Sequence, residues 1–244
     1  MNERKTLRIN DNGHLEIGGA DCVDLAQQFG TPLYVVDEAY IRKMMRVYSS
    51  VIKEKYNGNG LVLYASKAFS CKAIYRIADE ENIGVDVVSG GELYTALQAG
   101  FPTEKICMHG NNKQTYEIAE ALDAGVKYIV ADAYSEIDKI DAEAKKRGIV
   151  QKILLRVNPG VEAHTHAFVQ TATTDSKFGF SLLDGTAEQV TAYALGKKNV
   201  QLDGYHCHIG SQIFEKQSFV IAVEKCMRFA LKMKKKLRFF LKNA

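Results

Sequence analysis

The chain has 244 residues, of which 46% are hydrophobic and 25% are charged, which is ordinary for a soluble globular protein. No apolar run approaches the ~18 residues of a membrane span, and residues 1–10 are polar, without the apolar core of a signal peptide. The cysteines are odd in number and lack paired metal-ligand spacing, which predicts reduced thiols in a cytoplasmic protein: Cys22, Cys71, Cys107, Cys207 and Cys226.

The net charge of +3 is distributed unevenly along the chain. Residues 224–244 hold eight basic residues and one acidic residue, so the other 223 residues carry a net charge of −4. The main body is therefore mildly acidic, which argues against a nucleic-acid or membrane partner. We treat residues 224–244 as a separate basic tail.

The first 60 residues contain short elements with strong turn signals. Residues 7–19 alternate loosely across an Asp11-Asn12-Gly13 turn and predict a small hairpin. Residues 24–29 predict a short helix, and residues 33–36 predict a strand after Pro32. Asp37 is the expected N-cap of a helix over residues 38–55.

From residue 61 onward, predicted strands and helices alternate. The strands are predicted at residues 61–65, 84–88, 105–108, 128–131, 152–157 and 200–206. The helices are predicted at residues 72–81, 91–99, 114–124, 135–147 and 186–195. This alternation is typical of α/β folds, and the absence of Gly-x-Gly-x-x-Gly after any strand weakens a dinucleotide-binding interpretation. We predict a (β/α)8 barrel that is incomplete, with about six of its eight units.

Polar residues follow each predicted strand, as they do at the active face of such barrels. The most informative is Lys67, which comes directly after an apolar strand. Partial burial would lower the pKa of its amine and make it available for a Schiff base. The simpler alternative is a surface lysine that opens a loop. The other strand-end groups are Asp86, His109 to Lys113, Asp132, Arg156 to Gly160 and His206 to Gln212.

His206 and His208 form the obvious candidate pair for a metal, because residues two apart on a strand share one face. Cys207 would then point away. No convincing third ligand accompanies them, since the other His-x-His pair, His164 and His166, is predicted in a loop. We therefore predict no metal site and favour an imidazole that packs against a planar ring.

Three further residues have both a functional and a structural interpretation. Ser211 follows Gly210 directly after a strand. The backbone N–H groups there and the hydroxyl of Ser211 could bind a phosphate, or the two residues could simply form a turn. Asp86 would place a carboxylate near a cationic nitrogen, or would start a turn. Lys177 is most simply a solvated loop lysine. The residues alone leave these alternatives open.

Six segments occur in an order that closely resembles the N-terminal part of the diaminopimelate decarboxylases, in the fold-type III group of pyridoxal-phosphate enzymes. They are Tyr64-Ala65-Ser66-Lys67-Ala68, residues 86–93, 109–113, 159–166 and 175–179, and His206-Cys207-His208-Ile209-Gly210-Ser211-Gln212. The resemblance runs from about residue 6 to about residue 224. It implies a barrel of the alanine racemase-like kind, with pyridoxal 5'-phosphate as cofactor.

The resemblance also implies roles for individual residues. Lys67 would form the Schiff base with the cofactor, His208 would stack on its ring, and Ser211 would bind its phosphate. Asp86 and Arg156 would lie in the polar shell around the ring. Lys177 matches a position that meets the partner subunit in related homodimers. The implied reaction converts meso-2,6-diaminopimelate to L-lysine and CO2, the last step of lysine biosynthesis.

The family pattern continues with a glycine-rich phosphate loop and a Glu-Pro-Gly-Arg run, and neither occurs here. We therefore expect residues 1–32 to belong to a second, β-rich domain, residues 33–223 to form an incomplete barrel, and residues 224–244 to be a basic tail. A frameshift around the lysine run 234–236, with foreign residues after it, would explain that tail, and a basic amphipathic helix is the alternative. The barrel would lack its last two strands and the glycine-rich loop and would expose strand edges, so we expect little or no decarboxylase activity. A fold-type III racemase, another basic amino-acid decarboxylase and a non-catalytic remnant remain as alternatives.

Overall fold

The structure, a computed structural model, describes residues 6–161 and 178–237. The chain divides into two compact units. The first unit comprises the described residues through Tyr64 together with Ile77–Ile83. The second unit comprises Ala65–Arg76 and the described residues from Gly84 onward.

The first unit contains the predicted hairpin and the two predicted helices. Its antiparallel strands pair Leu7 with Ile17, and a short third strand extends them. Asp21 caps the first helix through the N–H of Val23, and Asp37 caps the second through the N–H of Tyr40, as predicted for Asp37. The elements are β1 (Leu7–Ile9), β2 (Leu15–Ile17), β3 (Ala20–Asp21), α1 (Cys22–Phe29) and α2 (Glu38–Lys55).

The strand predicted at residues 33–36 is wrong. The structure has irregular backbone there, and Tyr34 is fully exposed. Leu33 and Val36 are also exposed. A short apolar run becomes a strand only when it pairs with another strand and buries one face, and this segment does neither in the described part of the chain.

From residue 63 onward the chain follows the predicted alternation of strands and helices, and parts of β4 and α3 belong to the first unit. Predicted and observed ends agree within two residues for every element from β4 to β10, and a short strand, β9, appears in addition. The helices are α3 (Lys72–Glu80), α4 (Gly90–Gln98), α5 (Thr115–Ala124), α6 (Tyr134–Arg147), α7 (Thr186–Leu195) and α8 (Lys216–Leu237). The strands are β4 (Leu63–Ala65), β5 (Gly84–Val87), β6 (Ile106–Met108), β7 (Tyr128–Ala131), β8 (Gln151–Asn158), β9 (Phe180–Ser181) and β10 (Val200–His206).

The strands are parallel and neighbour one another in the order of the chain. The order from one edge is β10, β8, β7, β6, β5 and β4, whose last residue opens the second unit, and β9 pairs separately with β8. A doubly wound sheet reverses its strand order at a switch point, whereas a barrel adds each strand beside the previous one. The consecutive order therefore confirms an α/β barrel arrangement, and the described residues supply six of its eight main strands.

The core of the second unit lies between these strands and their helices. Apolar side chains from neighbouring strands are completely buried, among them Val85, Ile106, Ile129 and Ile153. The prediction of a buried strand before Lys67 is only partly correct, because β4 is three residues long and Leu63 is 36% exposed. The strand nevertheless ends where predicted, directly before the segment that carries Lys67.

Helix α8 runs through position 224, where the basic tail was predicted to begin. One side of this helix is buried, with Ala222, Phe229 and Met233, while Val223 and Met227 are exposed on the other side. Because apolar residues lie on both sides of α8, its sequence lacks the one-sided apolar pattern from which a helix is predicted. Lys236 pairs with Glu188 at 2.7 Å, and Lys232 pairs with the same carboxylate. Within the described residues, no helix combines the length and apolarity that crossing a bilayer requires.

Candidate active site

Lys67 lies directly after β4, in a single 3-10 turn over Ser66–Ala68. The N–H of Phe69 donates to the carbonyl of Ser66 at 3.1 Å and closes this turn. Ser66 is completely buried, whereas the side chain of Lys67 is exposed. The partial burial predicted for Lys67 is therefore wrong, and its amine is accessible to a ligand from solvent.

Asp86 and His109 form a pair at the ends of the next two strands. Asp86 is the third residue of β5 and His109 follows β6, and His109 Nε2 lies 2.9 Å from Asp86 Oδ2. The other polar atom of each side chain, Asp86 Oδ1 and His109 Nδ1, is buried without a hydrogen-bond partner among the described residues. Buried polar atoms are normally paired, so these two atoms are suited to a ligand or bound water.

Two further histidines complete this cluster, and both are neutral at physiological pH. The ring of His206, at the end of β10, lies 5.6 Å from the ring of His109. Burial lowers the pKa of His206 to about 3, with nearby His109 and Arg156 acting in the same direction. Burial also lowers the pKa of His208 to about 4, with the cations of Lys67 and Arg156 contributing and Asp86 opposing. The charges of Lys67, Asp86 and Arg156 therefore all act on the imidazole of His208.

The depressed pKa of His206 predicts acid-sensitive stability. Between its ordinary pKa of 6.5 and the folded value of about 3, the unfolded chain binds a proton that the folded chain excludes. Stability therefore falls as the pH is lowered through this range, by about 2 kcal/mol at pH 5 relative to neutral pH. In a His206→Gln variant, the free energy of unfolding is expected to fall by about 2 kcal/mol less than in the unmodified chain over the same pH change. Urea unfolding of both proteins from pH 7 to pH 5 checks this, and parallel pH profiles would contradict it.

Arg156, on β8, is held between a carboxylate and an aromatic ring. Its Nη1 lies 4.0 Å from Asp132 Oδ2, and its guanidinium carbon lies 4.6 Å from the centre of the Phe178 ring. Burial lowers the pKa of Arg156, and Asp132 and Asp86 oppose this shift. Burial also raises the pKa of Asp132, whose Oδ1 accepts a hydrogen bond from the N–H of Gly179 at 2.6 Å. Two other segments of the chain, which carry Asp132 and Phe178, thus hold this guanidinium at the strand ends.

A buried ion pair joins the segments that follow β6 and β7. Lys113 Nζ donates to Glu136 Oε2 at 3.1 Å, and both side chains are only 2% exposed. The same carboxylate accepts the backbone N–H of Lys113 and that of Asp132, both at 2.8 Å. Burial lowers the pKa of Lys113, and the charge of Glu136 opposes this shift. Glu136 thereby positions the backbone that carries Asp132.

A second glutamate, Glu117, makes the same kind of contacts in the preceding strand–helix repeat. Glu117, in the first turn of α5, accepts the N–H of Gly90 at 2.8 Å through Oε1 and that of Gln114 at 2.9 Å through Oε2. Gly90 begins α4, so the carboxylate connects two neighbouring βα segments. Together Glu117 and Glu136 link the segments after β5, β6 and β7 and hold the candidate site in place without a ligand.

The structure brings together four of the five predicted site residues, namely Lys67, Asp86, Arg156 and His208. Ser211 lies in the half-buried segment after β10. The sequence predicted that His206 and His208 share one face of a strand. This prediction is wrong, because β10 ends at His206. Within the described ranges, no three His, Cys, Asp or Glu side chains are grouped as metal ligands. Lys177, His164 and His166 lie outside the described residues.

The sequence analysis identified His109, Lys113, Asp132 and His206 as polar residues at strand ends, but it assigned no specific role to the first three and weighed His206 only as a metal ligand or a ring-packing imidazole. It missed Glu136, which lies in the first turn of α6. Its position directly after a strand end is the signal that would have identified it.

The donors and acceptors at these strand ends fit the expected cofactor. An accessible amine, neutral imidazoles and a fixed guanidinium suit a planar aldehyde that carries an anionic group. The unpaired oxygen of Asp86 and the unpaired nitrogen of His109 leave hydrogen-bonding capacity at the same place. The residues present are therefore compatible with pyridoxal 5'-phosphate.

Comparison with known protein families and sequences gives an independent result. The family described as "Pyridoxal-dependent decarboxylase, pyridoxal binding domain" matches residues 39–242. The chain is 50% identical over 220 residues to a diaminopimelate decarboxylase of Bacillus methanolicus, which covers 90% of this chain and 51% of the relative. It is 48% identical over 226 residues to the diaminopimelate decarboxylase of Bacillus subtilis, and this match covers 91% of this chain and 51% of the relative. The chain thus spans about half the length of the curated relatives it matches.

Comparison with solved structures agrees. A crystal structure of diaminopimelate decarboxylase from M. jannaschii, in complex with L-lysine, matches with a TM-score of 0.85 and 35% sequence identity. This match covers 95% of the present chain and 54% of the other. The structure from Helicobacter pylori, also with L-lysine, matches with a TM-score of 0.79 at 28% identity.

Proposed function

This chain belongs to the family of pyridoxal-dependent decarboxylases, and we propose that it carries the cofactor-binding part of a diaminopimelate decarboxylase. The proposed overall reaction is the decarboxylation of meso-2,6-diaminopimelate to L-lysine and CO2, at the end of lysine biosynthesis. The names of the relatives at 48–50% identity support this substrate.

The observation that supports the proposal is that the charges of Lys67, Asp86 and Arg156 all act on His208 at the strand ends. When bound, pyridoxal 5'-phosphate supplies an electron-withdrawing ring that accepts the electrons released when the carboxylate is lost. Lys67 offers the exposed amine to which its aldehyde would attach. A neutral His208 offers a flat face for stacking.

The other proposed roles concern binding and orientation. The hydroxyl of Ser211 and the N–H groups around it would receive the phosphate. Asp86 Oδ1 is a free acceptor for a protonated ring nitrogen or for the hydroxyl of a ligand. Arg156, fixed by Asp132 and Phe178, supplies positive charge beside the ring. These roles keep the anionic and cationic groups of the cofactor in a defined orientation.

The experiment that tests cofactor binding is reductive labelling of Lys67. The purified chain is incubated with pyridoxal 5'-phosphate, reduced with borohydride, digested and mapped by mass spectrometry. We expect the label on Lys67 and far less on Lys72, an exposed lysine five residues away that serves as the internal control. Equal labelling of Lys67 and Lys72, or none at Lys67, would contradict the proposal.

The reaction is tested separately by product analysis with meso-diaminopimelate. Lysine and CO2 as products support the decarboxylase. Stereoisomers of diaminopimelate would instead identify the alternative, a fold-type III racemase, and turnover of ornithine alone would identify another basic amino-acid decarboxylase. Label on Lys67 without any product would identify the third alternative, a cofactor-binding remnant without catalysis.

Two further features belong to the proposal. We propose a cytoplasmic location, which the five free cysteines support, because thiols remain reduced in that compartment. We also propose assembly as a homodimer, with Lys177 near the partner subunit, and a domain division at residues 32 and 223. The resemblance to the family supports these assignments.

A further inference from the structure

Two cysteines lie on opposing segments beside the candidate site. Cys207 is located between His206 and His208, directly after β10, and Cys226 lies on α8. Contacts of their neighbours, Tyr205 with Phe229 and Ile209 with Ala222, place the two residues opposite each other, and both are half-buried. A small reagent can therefore reach both residues.

The packing on either side of these cysteines explains why they meet. On α8, Ala222, Cys226 and Phe229 are spaced by four and three residues and share one helix face. Ala222 packs in a buried cluster with Ile209, and the ring of Phe229 lies 5.0 Å from that of Tyr205 in an edge-to-face arrangement. Cys226 is therefore held between two contacts that flank Cys207 on the opposing segment.

A polar contact fixes the same stretch of α8. Lys225, the residue before Cys226, donates hydrogen bonds to the carbonyls of Pro159 at 3.0 Å and Gly160 at 2.9 Å. These carbonyls directly follow β8, the neighbour of β10 in the sheet. The position of Cys226 relative to the strand ends is thus set by apolar and polar contacts together.

We propose that Cys207 and Cys226 form a reversible intramolecular disulfide, a modification site that ties the segment carrying His206 and His208 to helix α8. The bond requires that the sulfur atoms approach to about 2.05 Å. This site does not depend on the proposed decarboxylase function.

The chemistry follows the usual exchange with a low-molecular-weight disulfide such as glutathione disulfide. The thiolate of Cys207 attacks one sulfur of the reagent, forming a mixed disulfide and releasing one glutathione thiolate. Cys226 then loses its proton and attacks the Cys207 sulfur, which closes the protein disulfide and releases the second glutathione. Two protein thiols are oxidised, and one glutathione disulfide is reduced to two glutathione molecules that take up the two protons.

The surroundings favour Cys207 as the attacking group. The neighbouring thiol of Cys226 lowers the pKa of Cys207, burial opposes this shift, and the cation of Arg156 adds to it. The thiol of Cys207, together with burial, raises the pKa of Cys226. The buried thiol of Cys107, whose pKa burial raises to about 12, is expected to stay unreactive.

The test exposes the reduced chain to glutathione disulfide, blocks the remaining thiols and maps the peptides by mass spectrometry. We expect two of the five thiols to be lost, with Cys207 and Cys226 linked within one chain, and dithiothreitol to restore all five. Cys22 and Cys71, which are half-buried like the proposed pair, serve as internal controls. Five free thiols after treatment, a different pairing, or links between chains would each overturn the proposal.

Two variants and one condition make the test specific. In Cys226→Ser, the mixed disulfide on Cys207 cannot be resolved, so glutathione is expected to accumulate there. In Cys207→Ser, Cys226 is expected to react more slowly. In denaturant the selective pairing should be lost, because the contacts of Ala222, Lys225 and Phe229 that align the thiols no longer exist. Unchanged selectivity in denaturant would show that proximity along the chain, and not the fold, pairs these cysteines, and would overturn the proposal.

Discussion

A Glu136→Gln variant is expected to lower the free energy of unfolding by about 3–5 kcal/mol. The substitution leaves the ammonium group of Lys113 in a site where both side chains are only 2% exposed. It also removes one of the two carboxylate oxygens that receive the backbone N–H groups of Lys113 and Asp132. An uncompensated buried charge costs far more than the loss of an exposed ion pair. Equilibrium unfolding in urea measures the difference.

The matched control is Glu143→Gln, on the same helix. Glu143 pairs with Arg147 at 2.7 Å and with Lys146, and its own side chain is only 8% exposed. Lys146 is 67% exposed and Arg147 keeps its pair with Asp123 at 2.7 Å, so the substitution leaves no buried charge without a partner and we expect a loss of about 1 kcal/mol. A Lys113→Met/Glu136→Gln double variant removes the buried charge and should recover a large part of the stability lost in Glu136→Gln. Equal losses in Glu136→Gln and Glu143→Gln would contradict this account.

The pH dependence distinguishes a buried charge from a packing defect. Burial lowers the pKa of Lys113 in the folded protein, so between that lowered pKa and the ordinary value of 10.5 the unfolded chain binds more protons than the folded chain. Stability therefore rises with pH in this range, and more steeply in Glu136→Gln, where no carboxylate supports the charge. The defect is expected to shrink as the pH is raised toward 10.5, whereas a packing defect would stay constant.

The regular elements could be predicted from the sequence because their signals are local. Alternating apolar segments, the cap at Asp37 and the βα rhythm predict most elements within two residues of their observed ends. The strand predicted at residues 33–36 fails because strand formation depends on a partner that the local sequence does not specify. Helix α8 was obscured because it is apolar on both a buried and an exposed side.

The candidate site could be predicted from the sequence only for residues at or near the ends of predicted strands. Lys67 directly follows β4, and Asp86 and Arg156 lie near the ends of β5 and β8. The family resemblance supports the same residues. The roles of His109 and Glu136 were not predictable, because they depend on which loops meet in space. Glu136 is one of several glutamates in first helical turns, and only the fold shows that Lys113, 23 residues earlier, is buried against it.

A Gly179→Ala variant is expected to lower the stability by about 3 kcal/mol, from backbone strain together with crowding. Gly179 has a φ of +76°, and an added Cβ would lie 3.0 Å from the carbonyl oxygen of Arg156 and 3.2 Å from its Cγ. Neither the strand backbone of β8 nor the side chain held against Phe178 can move away without loss of other contacts. The measurement is again urea unfolding.

Gly148→Ala is the matched control for this effect, because Gly148 has a similar φ of +65° with nothing within 4 Å of the added Cβ. It carries the strain of the left-handed conformation alone, so we expect a loss of about 1 kcal/mol. The difference between the two variants therefore isolates the crowding at Arg156. The N–H of Gly179 also donates to Asp132, which holds Arg156, so Gly179→Ala is expected to displace Arg156. We therefore expect Gly179→Ala to need a higher concentration of pyridoxal 5'-phosphate for labelling of Lys67. In Gly148→Ala the concentration should be unchanged. Equal stability losses, or unchanged labelling in both variants, would mean that the close approach at Gly179 does not position Arg156.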